Sequence, residues 1–295
     1  MGLTGYNSTA LLPLQVELLS YCVFVSAVGR VLHTLPEGND VWGVTSLDNL
    51  LYVIREKASQ QISVYDTDSY RLQRRINVPQ LRCVVDMAAC AHYYCLYVSD
   101  QNNTCIHRTA LPDHDVTKWP VHSKPSRLSV SETHSVLVMC EDVKQIKEFT
   151  TRGKLLRQVQ LHWSIMSLKQ AIQLSSGDFI VCHGRPSDPV HRVCLVDSGG
   201  QVVKSYGGPQ GASYQQMDSP THMAVDRNGF VFVADLNNSR VLLLSPALTY
   251  VREVVSLEWG PRRLFLDDDR RRLYVAANKW DGDECTAGRV VVINV

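Results

Sequence analysis

One short apolar triplet recurs six times along the chain. It reads LYV at Leu51, LYV at Leu96, VLV at Val136, FIV at Phe179, VFV at Val231 and LYV at Leu273, with spacings of 45, 40, 43, 52 and 42 residues. A second run rich in β-branched residues follows each triplet: ISVYD from Ile62, CIHRT from Cys105, IKEFT from Ile146, RVCLV from Arg192, RVLLL from Arg240 and RVVVI from Arg289. A third run follows in four periods, starting near Tyr70, Gly153, Gly200 and Tyr250. One more strand precedes each triplet and ends in a polar turn such as SLDN, SSGD or DRNG. Runs of four to six residues are too short for useful helices, and their composition favours strands. Four short strands per period of ~40–50 residues is the pattern of a β-propeller blade. The expected fold is therefore all-β, a six-bladed propeller of four-stranded antiparallel blades. A length of 295 residues suggests two domains by size alone. Six periods leave no room for a second.

Ring closure makes a further demand. The last period ends at Val295 after its third strand, so its outer strand must come from elsewhere. Gly29–Leu35, GRVLHTL, resembles the outer strand of the third period, GKLLRQVQL. It is expected to complete the last blade. Residues 29–295 then form one propeller, and residues 1–28 are an N-terminal extension of undefined structure. Within that extension, Pro13, Gln15 and Glu17 interrupt the apolar run 10–29, which argues against a transmembrane helix. The absence of a basic start argues against a signal peptide, although Val25-Ser26-Ala27 is an acceptable cleavage context. Nine cysteines without a C-x-x-C pair read as buried thiols in a reducing compartment, hence a cytoplasmic location, with secretion the alternative.

The residues Ser219–Ser245, SPTHMAVDRNGFVFVADLNNSRVLLLS, resemble the NHL repeat, and Tyr206–Pro220 resembles its glycine-rich lead-in. The stretches from Pro261 and Pro125 carry the pattern partially, and the first, second and fourth copies are degenerate. The chain is thus similar to the C-terminal propeller of tripartite-motif NHL proteins. That resemblance implies a platform for protein or RNA partners, with the substrate-recognition part of a ubiquitin-ligase-like system as one form of it. It implies no chemistry, because a fold hosts many functions. The Cys/His clusters and heptads of a ligase's other parts are absent from this sequence.

Two sets of equivalent positions should surround the central channel. Aligned on the triplets, one set is Trp42, Met87, Arg127, Gln170, His222 and Arg263. The other is Arg55, Asp100, Cys140, His183, Asp235 and Ala277. A metal-dependent hydrolase or lyase would draw on Asp100, His183, His222 and Asp235, whose side chains suit zinc or calcium. The simpler reading is that the two aspartates accept backbone N–H bonds in turns. There is no G-x-S-x-G, Walker loop or H-E-x-x-H, so no metal, cofactor or catalytic residue is expected. The tryptophans Trp42, Trp119, Trp163, Trp259 and Trp280 are all expected in loops of one face, with Arg127, Arg185, His222 and Arg263. Trp and Arg are the residue types of interaction hot spots. Interleaved aromatic and basic side chains would also suit single-stranded RNA. Lys and Arg total 30 against 29 Asp and Glu, so no basic track is in prospect. The expected partner is a protein or peptide, bound by a non-catalytic monomer, with RNA as the alternative and no membrane contact. The run Asp267–Arg272 should be a solvated turn on the opposite face.

Overall fold

The computed structural model describes residues 29–282 and 284–295. The expectations for residues 1–28, including the cleavage context and Cys22, lie outside the described residues. The chain opens with β1 (Arg30–Thr34). Blade 1 follows with β2 (Val41–Leu47), β3 (Leu50–Arg55), β4 (Gln61–Asp66) and β5 (Leu72–Asn77). Blade 2 has β6 (Val84–Cys90), β7 (Cys95–Asp100), β8 (Cys105–Ala110) and β9 (Val116–Pro120). Blade 3 has β10 (Pro125–Val130), β11 (Val136–Cys140), β12 (Gln145–Phe149) and β13 (Leu155–Gln160). Blade 4 has β14 (Leu168–Gln173), β15 (Phe179–His183), β16 (His191–Val196) and β17 (Val202–Gly208). Blade 5 has β18 (Pro220–Val225), β19 (Val231–Asp235), β20 (Arg240–Leu244) and β21 (Tyr250–Ser256). Blade 6 has β22 (Gly260–Asp267), β23 (Arg272–Asp281) and β24 (Glu284–Asn294).

Each blade is a four-stranded antiparallel sheet, and β1 is the outer strand of the sixth, paired with β24 from Arg30↔Asn294 to Thr34↔Val291. The closing strand is therefore where the sequence put it. Leu35 just after it is fully buried, and its N–H donates to the Val290 carbonyl at 2.9 Å. The ends of the described chain are stitched by backbone bonds.

The apolar triplets have a direct physical cause. Successive side chains of a strand point to opposite faces. In β19, Val231 and Val233 enter the space shared with blade 4, while Phe232 and Ala234 enter the space shared with blade 6. In β3, Leu51 and Val53 face blade 6, and Tyr52 and Ile54 face blade 2. The core is accordingly six clusters, one per interblade space. A strand buried on both faces cannot alternate polar with apolar, so it reads as a continuous apolar run.

Two features depart from the sequence reading. The outer strand β9 was not recognisable as a strand, because VTKWP ends in proline and holds few β-branched residues. Trp119 therefore lies in a strand, not a loop, as do Trp42 in β2 and Trp280 in β23. The turn Asp267–Arg272 is not merely solvated. Arg227 of blade 5 pairs with Asp268 at 2.7 Å and Asp269 at 2.6 Å, and Arg270 donates to the Asp48 carbonyl of blade 1 at 2.8 Å. Arg272 reaches the Thr67 carbonyl at 2.7 Å. These contacts link three consecutive blades on the lower face.

Candidate functional site at the channel mouth

The loops that enter each inner strand and the hairpins between second and third strands share the upper face. There the two sets of equivalent positions take on geometry. In the second set, Arg55, Asp100, Cys140, His183 and Asp235 each pair with the first residue of the inner strand of their own blade, and Ala277 pairs with the second, Pro261. Every inner strand then carries a register shift one step further in. A bulge re-aims the next side chain, and here it turns one residue per blade toward the axis. The ring so formed is Gly43, Asp86, Arg127, Gln170, His222 and Arg263. The sequence alignment missed by one residue at Trp42 and Met87, where Gly43 and Asp86 stand instead. At Gly43 a Cβ would come within 2.9 Å of the Met87 Cβ, so blade 1 contributes no side chain.

The ring is plugged across its centre. Arg263 of blade 6 places Nε 3.0 Å from the Asp86 Oδ1 of blade 2, and its Nη2 donates to the Val85 carbonyl. His222 of blade 5 sits with Nε2 3.5 Å from Asp86 Oδ2. Blades 2 and 5 are on opposite sides of the ring, so these contacts pass through the axis. Burial alone would raise the Asp86 pKa, but Arg263, His222 and Arg127 outweigh it and hold the carboxyl at about 2. Burial pushes the His222 pKa down against the pull of Asp86. Its Nδ1 accepts the Leu264 N–H at 3.3 Å, leaving Nε2–H to face Asp86.

Above the plug lies a cluster of cations. Burial lowers the Arg127 pKa; Arg127 in turn helps lower that of its neighbours Lys169 and Arg262. Burial, then Arg127, brings Arg262 to about 10. Lys169 is brought to about 8 by burial, partly offset by Glu141 at 3.6 Å. Glu141 also pairs with Arg185 at 2.6 Å. The Arg262 guanidinium lies 4.0 Å from the centre of the Trp42 ring and 5.1 Å from that of Trp280. An open groove of about 550 Å³ adjoins it, lined by Trp259, Trp280, Asn278, Lys279 and Glu258 among others.

The tryptophans divide. Trp119 is core: it packs edge-on to Tyr97 and fills the space where a Cβ on Gly153 would fall. Trp42 is also buried, in the cluster between blades 1 and 2. Trp259 is 7% exposed, with Arg289 stacked 4.1 Å over its ring. Only Trp163, at 78%, and Trp280, at 38%, present large exposed surfaces. Tyr214 on the same face is 74% exposed, whereas Tyr206 is buried. Arg263 and His222 belong to the plug and offer no contact surface. Arg185 remains at the rim.

The four candidate metal ligands do not converge. Asp100 accepts N–H bonds from Arg82, Cys83 and Asn103, and Asp235 accepts from Asp218, Asn238 and Arg240. Both act as turn anchors. His183 is buried in blade 4, where burial followed by Arg192 lowers its pKa to about 4. Among the described residues the one group of three with metal-ligand spacing is Asp100, Cys105 and His107. Burial and then Asp100 push the Cys105 thiol up to about 11, so it keeps its proton. A cation there would have to compete with the donors already on Asp100.

No protein-family model matches the chain, and no curated protein matches it in sequence. Its fold has many solved counterparts. The hydrazine synthase of Kuenenia stuttgartiensis aligns with a TM-score of 0.60 and 13% identity, covering 84% of this chain and 95% of that one. Virginiamycin B lyase from Staphylococcus aureus aligns with a TM-score of 0.60 and 10% identity over 89% of this chain and 100% of that one. The β-propeller domain of Cps50 (Swd1) from Myceliophteria thermophila gives 0.61 and 10%, over 90% and 99%. The chain is a six-bladed β-propeller. At such identities the likeness extends to the fold and no further.

Proposed function

We propose that this propeller is an NHL-type binding module, without catalysis of its own, that captures a protein or peptide on its upper face. The observation that carries this reading is the placement of exposed aromatics. Trp163 and Tyr214 come from two different upper-face loops, and Trp280, near the end of β23, borders a groove beside the channel mouth. Rigid aromatic surface next to a groove is how interfaces concentrate binding energy. The rim favours a protein over RNA. Its arginines are largely committed: Arg55 to three backbone carbonyls, Arg185 to Glu141, Arg240 to Asp235 and Arg289 to Glu258. Strong RNA binding needs several free cations along a track. The NHL resemblance of residues 219–245 supports a platform role, and service as the recognition arm of a ubiquitin-ligase system is one form it would take.

The test is a peptide selected from a random library on the wild-type chain, then titrated against Trp280→Ala. The variant should bind it at least about tenfold more weakly, equivalent to about 1.4 kcal/mol or more, with an unchanged Tm. Equal affinity for both proteins would refute the assignment of this face.

A further inference from the structure

Three of the six ring residues, Asp86, Gln170 and His222, share one task, and Gly43, Arg127 and Arg263 do not. Asp86 accepts the N–H of Leu128 at 3.0 Å, Gln170 accepts that of Met223, and His222 accepts that of Leu264. In each case the donor is the residue just after the ring position of the next blade. These side chains satisfy a backbone donor at the channel wall, which is a structural task. Arg263 cannot accept, but it is the cation of the plug. Arg127 cannot accept either, because a guanidinium carries donors only. The equivalent donor in blade 4 belongs to Ala171.

Arg127 accepts no N–H at the channel wall, and it acts on Asp86 only through space. It is 8% exposed, its Nε has no hydrogen-bond partner, and it forms no ion pair among the described residues. Asp86 is committed to Arg263, and Glu141 to Lys169 and Arg185. Arg262 is a second cation whose Nε lacks a partner, held by aromatic stacking alone on its guanidinium face apart from its neighbours' charge. Burying a charge without a counter-charge costs several kcal/mol. Low-dielectric walls around such a charge also focus its field on anything that enters.

We propose that the channel mouth is a binding site for a carboxylate, the acidic side chain or C-terminus of the captured peptide, with Arg127 as its principal anchor and Arg262 and Lys169 as flanking cations. This rests on the upper-face reading and names the chemistry its ligand must carry. An Arg–carboxylate pair can be bidentate, which suits one oxyanion seated on a closed floor. The committed rim arginines argue for a single anionic group rather than a polyanion.

The probe is sodium glutarate, compared with sodium chloride at equal ionic strength, on the full chain. The wild type should melt higher in glutarate, and Arg127→Leu should show no difference between the salts. In chloride, Arg127→Leu should melt at or above the wild type, because the carboxylates that attract Arg127 through space, Asp86 and Glu141, are already paired with other cations. A structural arginine would give the opposite. Arg127→Lys, which keeps a charge without the fork, should retain only part of the glutarate shift. The proposal is overturned if glutarate leaves the wild type unmoved, if its shift survives in Arg127→Leu, or if only sodium phosphate or single-stranded RNA produces an Arg127-dependent shift. A glutarate shift with a peptide indifferent to Trp280→Ala keeps the anion site and removes the upper-face reading. The reverse pattern removes the anion site alone.

Discussion

Asp86 is the acceptor on which the channel plug converges. Removing its charge leaves Arg263 buried without a counter-charge, and breaking such a pair from one side costs about 3–5 kcal/mol. Asp86→Asn should therefore lower Tm by on the order of 10 °C. The pH dependence has a definite sign. The folded pKa lies below the ordinary value, so the pair's contribution is complete above about pH 4 and is lost as pH falls through about 2. Wild type and Asp86→Asn should differ most near neutrality and converge in strong acid; a gap that persists at pH ~2 would contradict the assignment. At this scale the sequence was legible where chemistry repeats and illegible where geometry shifts it. Arg127, Gln170, His222 and Arg263 were recognised as ring positions. Gly43 and Asp86 were not, because a bulge adds a residue that leaves no trace in the apolar pattern. The committed contacts of Arg263 and the isolation of Arg127 depend on what crosses the axis, which no local pattern records.

At the level of elements, β1 closes the ring by pairing with β24 and burying Leu35 against blades 1 and 6. Deleting residues 29–35 strips an edge from β24 and removes a fully buried leucine. That burial alone is worth about 1.5–3 kcal/mol, before the lost ladder bonds. The truncated chain should melt lower and associate through its bare edge. An unchanged melting temperature and monodisperse behaviour would show that closure does not depend on this strand. β1 was readable because its alternation resembles another outer strand. β9 was not, and its loss from view displaced Trp119 from the core to the surface. The lower-face turn Asp267–Arg272 carries a comparable lesson. Its charges offset one another in sequence, yet Arg227, Arg270 and Arg272 spend them between blades, across sequence distances that composition does not reveal.

The whole molecule is a ring whose lower face and interblade spaces are occupied by structural contacts. Its upper face holds what those contacts leave over: the exposed Trp163, Tyr214 and Trp280, a groove beside blade 6, and Arg127 without a partner. Near-zero net charge fits this division, since the cations are gathered at one mouth while the total stays balanced. The sequence pointed to the aromatics as candidates; which of them are available follows from packing between blades. The most direct measurement is amide hydrogen exchange of the full chain with and without a saturating selected peptide. The account predicts slowed exchange in residues 258–260 and 278–288 and around Arg127, with the lower-face turns at 47–50 and 267–272 unchanged. Protection confined to those lower-face turns would contradict it.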